Sequence, residues 1–254
     1  DMIKISLSQR FPYTDFTFID AGISSTGSTP HAFRLENDVL KKGVPDLMFV
    51  EAAVNDDTNG FGPTEQVRGM EGVVRHALET NPYMDIVMLH FIYDPFIPIL
   101  QGGYQPEVIR NHERVAEYYS ISSINLAQEI AERMKRNEFD WTWFGGTHPN
   151  WQGHKYYAAA INHLFDESSA NIDSLKYMPH QIPEKPLDEY SYSRGHFLDL
   201  KEAKNMKGFQ YVTDWKPQDE KAGTRKGFVN VPMLEATAAG SKLSLRFRGT
   251  AVGV

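Results

Sequence analysis

Three short stretches of this sequence carry groups able to take part in chemistry. The first is Ala21-Gly22-Ile23-Ser24-Ser25-Thr26-Gly27-Ser28-Thr29-Pro30, where a β-rich run ends in glycine. Lacking a Cβ, Gly22 can bring its backbone N–H close to a ligand, and it equally suits an ordinary tight turn. The stretch has no Gly-Lys-Ser/Thr and is not a phosphate loop. It has no G-x-S-x-G elbow, which makes Ser24, Ser25 and Ser28 weak nucleophile candidates. The second stretch is Asn55-Asp56, at the end of an apolar run. An Asn amide there can donate to an oxygen that gathers charge in a transition state, while an Asn-Asp pair also forms solvated turns. The third is Phe144-Gly145-Gly146-Thr147-His148-Pro149-Asn150. A histidine on a fixed loop before a helix suits a general base, and histidines also occur on plain surface loops. Trp141, Trp143 and Trp151 flank it and can wall a crevice or fill a core.

The surrounding pattern alternates strands and helices. Phe16–Gly22, Leu47–Val54, Ile86–Phe91 and Ile121–Ile124 read as strands, the second as one buried on both faces. Helical faces run through Val67, Met70, Val74, Ala77 and Leu78, through Val108, His112, Val115 and Tyr119, and through Leu126, Ile130 and Met134. The opening Asp1–Ile5 reads as the inside of a helix. A last helix begins after Pro149, with Asn150 as its cap, and buries Tyr157, Ile161 and Leu164. Strands alternating with helices imply βαβ units and a parallel sheet. Such a sheet holds ligands at the carboxyl ends of its strands, where Gly22 and Asn55 fall.

Composition changes after Phe165. Residues 168–186 are polar and broken by Pro179, Pro183 and Pro186, as in a linker. Beyond them His196–Leu200, Phe209–Val212, Gly227–Val231 and Lys242–Phe247 read as short strands of an all-β sandwich. The expected domains are therefore 1–167 (α/β), 168–186 (linker) and 187–254 (partial β-sandwich). Both ends read as interior to a longer protein. The net charge is −7 with no basic run, which argues against nucleic acid or an anionic membrane as partner. Cysteine is absent, excluding disulfides and a cysteine nucleophile. No apolar run is long enough to span a membrane. No His-x-x-x-His pair or carboxylate cluster points to a metal, and His90, His112, His154 and His163 read mainly as structural or surface residues.

Phe18-Ile19-Asp20-Ala21-Gly22, then Pro45 to Asp56, then Thr147-His148-Pro149-Asn150 follow one another in order. Together they resemble the glycine, asparagine and histidine blocks of SGNH/GDSL hydrolases, over roughly residues 1–165. The resemblance implies a flavodoxin-like three-layer α/β/α sandwich in which serine attacks an ester carbonyl and histidine is the base. It implies Gly22 and Asn55 as oxyanion donors and His148 as base, converging at one sheet edge, with no cofactor and no metal. Two departures stand out. The family's serine block is expected upstream of Asp1, so the 254 residues alone are expected to be inactive. The strand carrying it belongs between Phe16–Ala21 and Leu47–Val54, so Phe16–Ala21 is expected to detach or to pair unnaturally. Gly145 also stands where the family usually has the acid that orients histidine, and Asp140 is the nearest upstream substitute.

The tail, especially Gly249–Gly253, resembles the sandwich domain that follows some bacterial SGNH modules. That implies a carbohydrate esterase, secreted or periplasmic, removing acyl or acetyl groups from a glycan. The alternative is a non-catalytic glycan-binding protein on the same fold, which Gly145 favours. A nucleotide-binding flavodoxin-like protein lacks its glycine loop here. Oligomeric state is open.

Overall fold

The structure, a computed structural model, describes residues 1–170, 176–219 and 221–253. They form two compact units: residues 1–20 with 26–195, and residues 21–25 with 196–253.

The first unit is built on a parallel sheet of β1 (Leu47–Val50), β2 (Asp85–Leu89) and β3 (Ser122–Ile124), in the order β1-β2-β3. Met48 lies opposite Ile86 and Val87 opposite Ser122. Successive strand residues point to opposite faces, and the two faces build separate cores. Val50, Ile86 and Met88 pack with α2 (Ser28–Asp38) and α4 (Pro63–Thr80). Val87 and Leu89 pack with α5 (Phe96–Gln101), α7 (Leu126–Lys135) and α9 (Trp151–Ala170). The α6 helix (Glu107–Tyr119) supplies Val115 and Tyr119 to one core and Val108 and Ile109 to the other. This is the three-layer α/β/α sandwich. The α1 helix (Met2–Arg10) is held on α9 by Ser6 on Asn162 and by Arg10 on Asp166 at 2.6 Å. No helix among the described residues is long and apolar enough to cross a membrane.

Two expected strands need correction. Phe16–Gly22 forms neither strand nor helix; Phe16 stacks on Phe18 at 5.7 Å, and Phe18 is exposed. Its expected neighbour is the strand next to β1, and no strand among the described residues fills that place. An extended run without a partner strand has no ladder to join. The run Leu47–Val54 is also not one strand. β1 stops at Val50, and α3 (Ala53–Thr58) begins three residues on. A run apolar but for Glu51 fits a strand or a buried helix equally well.

Residues 176–195 belong to the first unit and strap along its helices. The buried Glu71 carboxylate accepts Tyr119 O–H at 2.7 Å, Asp188 N–H at 2.8 Å and Leu187 N–H. Tyr192 N–H bonds to Arg68 O at 3.1 Å. A Cβ on Gly72 would lie 2.8 Å from the Tyr192 carbonyl carbon, so only glycine admits the strap. Residues 171–175 of the expected linker lie outside the described residues.

The second unit holds two antiparallel pairs, β4 (Lys204–Lys207) with β7 (Lys242–Ser244) and β5 (Phe209–Trp215) with β6 (Val231–Ala236). Three expected strands shift here. His196–Leu200 is not a strand and leads into a 3-10 turn, Leu200–Glu202, capped by Asp199. Gly227 (φ 95°) and Asn230 (φ 58°) are left-handed, which delays β6 to Val231. The last strand ends at Ser244, where its pairing with Lys204 ends.

Candidate active site

After β1 the chain turns at Glu51-Ala52 and enters α3, so Asn55 sits in the first turn of a short helix. Ala52 and Ala53 are fully buried, and their small side chains let the turn approach the sheet. Asn55 is half-buried, and its side-chain amide has no hydrogen-bond partner among the described residues. Glu51, the one charge inside the apolar run, accepts Val54 N–H at 3.4 Å. Burial pushes its carboxyl up to about 7.

That shift has a measurable sign. The folded value lies above the unfolded one, so the folded protein keeps a proton that the unfolded chain releases. Stability from this group is full below about pH 4.5 and is lost as pH rises through about 7. Glu51→Gln removes the loss. We expect it to gain on the order of 2 kcal/mol over the wild type between pH 4.5 and 8, with water access to the group allowed for. Urea unfolding of both proteins at the two pH values reads this directly, and parallel pH dependences would refute it.

Asp56 faces inward and is fully buried. It accepts Ser28 N–H at 2.7 Å, Ser28 Oγ–H at 2.6 Å and His112 Nε2 at 2.9 Å. Serine, carboxylate and histidine meet here in the wrong order for a nucleophile: the hydroxyl donates to the carboxylate, not to an imidazole. Ser28 is also fully buried, which removes it as a nucleophile. Nearby, His31 contacts Thr26 Oγ1 at 3.1 Å, and burial lowers the imidazole to about 4, keeping it neutral. His90, also fully buried, pairs with Glu113 Oε1 at 2.7 Å, and burial lowers its affinity for a second proton. Both His90 and His112 are fully buried, each with one ring nitrogen on a carboxylate.

His148 lies between α8 (Trp141–Phe144) and α9 in a closed loop. Asn150 clamps the loop: its N–H bonds to Phe144 O at 3.0 Å and its amide to Trp143 O at 2.6 Å. Asn150 Oδ1 also caps α9, accepting Gln152 N–H at 2.9 Å and Gly153 N–H at 3.1 Å. Gly145 has φ 101°, and a Cβ there would meet Asn150 N at 2.3 Å. The family's acid is therefore barred from this position by backbone geometry. Asp140 Oδ1 caps α8 by accepting Trp143 N–H at 2.6 Å, and no hydrogen bond among the described residues joins Asp140 to His148. His148 is exposed, and its ring has no hydrogen-bond partner among the described residues. Trp141 and Trp143 stack on Phe144 and Phe139, and Trp143 and Trp151 are exposed.

The direction of α9 relates His148 to the sheet. Tyr157 stacks on Phe91 at 4.9 Å and accepts Ile92 N–H at 3.3 Å, just past the end of β2. Phe165 meets Phe49, inside β1, at 6.3 Å. The helix thus runs antiparallel to the strands, with its N-terminal end and the His148 loop beyond their carboxyl edge. Asn55 leaves the same edge through β1. No hydrogen bond among the described residues joins the two. Gly22 is exposed and lies in the segment that belongs to the second unit, so only the Asn55 and His148 segments share an edge within one unit. A groove of about 520 Å³ lined by Ile97, Met134, Asn137, Phe139, Asp140 and Trp141 opens beside α8.

Sequence reading passed over Asp56 and Glu51. A carboxylate inside an apolar run, and an acid directly after the candidate amide, were the signals available for them.

A parallel sheet between two helix layers, with the Asn55 and His148 segments at its carboxyl edge, makes this unit a three-layer α/β/α sandwich. The chain belongs to the GDSL-like lipase/acylhydrolase family, whose sequence profile matches residues 4–156. Among solved structures it is similar to a two-domain esterase active on acetylated mannans, co-crystallised with mannopentaose: 22% identity, TM-score 0.62, covering 85% of this chain and 54% of that one. A second structure of an esterase so described gives 22% identity and a TM-score of 0.59, over the same shares of each chain. LAE5, an alpha/beta hydrolase enzyme from the metagenome of Lake Arreo, Spain, gives 21% identity and a TM-score of 0.52, covering 63% of this chain and 77% of that one. The chain thus spans about half the length of the two-domain esterase. No curated protein sequence matches it.

Proposed function

We propose that the whole protein is a serine ester hydrolase that deacylates, and specifically deacetylates, a carbohydrate. The observation that carries this is the shared carboxyl edge of the Asn55 and His148 segments in a GDSL-family fold. The nucleophile is a serine of the family's serine block, in sequence preceding Asp1. Its oxygen attacks the ester carbonyl carbon while His148 takes its proton. The oxyanion accepts a hydrogen bond from the Asn55 amide. The intermediate collapses, the sugar oxygen leaves with the proton from His148, and water then hydrolyses the acyl-enzyme. The sugar assignment draws on the esterase of acetylated mannans with which the chain shares its fold.

The test is acetate release from acetylated mannan by the chain extended to include the serine block. We expect turnover that a serine-directed phosphonate abolishes by labelling one upstream serine, and no enzymatic rate from the 254 residues alone. Labelling of Ser24 or Ser25 would overturn the assignment of the nucleophile. The second reading, a glycan-binding protein without activity, rests on Gly145 standing in the acid's place. It prevails if the extended chain binds acetylated oligosaccharides and cleaves neither them nor aryl esters.

A further inference from the structure

We propose that Asp56 is the positioning residue of the oxyanion amide: its buried carboxylate ties α3, and with it Asn55, to α2 and α6. The inference rests on the role proposed for Asn55. α3 is only six residues long, too short to hold a fixed orientation by its own backbone bonds. An oxyanion donor acts only if it is preorganised to within a fraction of an ångström of the charge it meets. Among the described residues, Asn55 itself makes no side-chain bond that would fix it. The adjacent residue does the fixing. Asp56 receives three hydrogen bonds, two from the first residue of α2 and one from the middle of α6, at 2.6–2.9 Å. Asp56, Ser28 and His112 are all fully buried, where charge-assisted bonds are strongest.

The surrounding backbone makes room for this clamp. A Cβ on Gly27 would fall 2.1 Å from Asp56 Oδ1, and one on Gly69 would fall 2.3 Å from Ser28 Oγ. Two glycines on different elements thus open the space that the carboxylate and its serine occupy. Beside them Asn111 Nδ2 bonds to Gln66 Oε1 at 2.7 Å, tying α6 to α4 and keeping the His112 side of the clamp in place.

The test is a double-mutant cycle in the enzyme with its serine block, with melting temperature recorded for each protein. Asp56→Ala is expected to lower kcat about 10- to 100-fold with KM within about threefold, as for an interaction made only in the transition state. Asp56→Asn should recover most of kcat, because the Ser28 hydroxyl and the His112 imidazole can both turn from donor to acceptor. On an Asn55→Ala background Asp56→Ala should cost no further kcat. Folded Asp56→Ala with wild-type kcat, or a loss that multiplies in full with that of Asn55→Ala, overturns the proposal. If Asp56→Ala does not fold, Ser28→Ala, which removes only the 2.6 Å bond, reads the same cycle with a smaller loss. An Asn55→Ala enzyme with unchanged kcat defeats the oxyanion reading itself, and the positioning role with it. A loss in Asn55→Ala that Asp56→Ala does not share defeats the positioning role alone.

Discussion

Asn55→Ala is expected to lower turnover of an aryl acetate about 10²–10³-fold in the enzyme with its serine block, the usual cost of losing one oxyanion donor. The loss belongs in kcat, because in the role proposed for it the amide meets a charge that exists only in the transition state. The fold should barely respond. Asn55 is half-buried on a helix, its amide has no partner among the described residues, and alanine is the better helix former. We expect a melting temperature within about 2 °C of wild type, in line with the small effects typical of such sites. An unchanged rate would remove Asn55 from the mechanism, whatever the rest of the site does.

Gly145→Asp is expected to harm the protein instead of improving it. The substitution restores the acid usual in the family, and a sequence comparison alone would recommend it. Its φ of 101° costs a non-glycine residue roughly 1–3 kcal/mol. The new Cβ would also press on Asn150 N, which is bonded to Phe144 O at 3.0 Å and starts the cap of α9. Losing that bond adds about 1 kcal/mol. A total near 3 kcal/mol lowers the melting temperature by roughly 5–10 °C in a domain of this size. Activity should fall with it, because the loop that carries His148 is the part displaced. A thermal melt and a rate measurement decide the matter; a stable variant with a raised rate would mean that the loop relaxes and His148 gains an acid.

The sequence discloses elements whose pattern has one physical meaning. The 3.6-residue spacing through Val108, His112, Val115 and Tyr119 marks α6, and all four are buried. Asn150 ahead of an apolar stripe marks the start and cap of α9. The ordered blocks around Gly22, Asn55 and His148 disclose the family. The features that stay hidden are those set by tertiary contact. Nothing local says that Leu47–Val54 breaks into a strand and a helix, because every residue but Glu51 is apolar. Nothing links Asp56 to Ser28 and His112, which lie 28 and 56 positions away. Gly145 reads as a missing acid, and only its backbone angle reveals a glycine that the loop demands. The short β pieces of the tail have turn residues at both ends, which fix their existence better than their limits.

The Glu71 clamp bears on how the first unit can be cut free for expression. Composition invites a stop codon near residue 167, where the polar, proline-broken stretch begins. Ending the gene there discards the two N–H groups that meet a fully buried carboxylate, leaving Tyr119 as its one remaining donor. It also strips Ile182, Leu187 and Tyr192 from the apolar face they cover. Such a product would carry both an under-solvated charge and a greasy scar, the combination that sends recombinant protein into inclusion bodies. A stop after Gly195 keeps the strap, and its yield of soluble protein should exceed that of the shorter version.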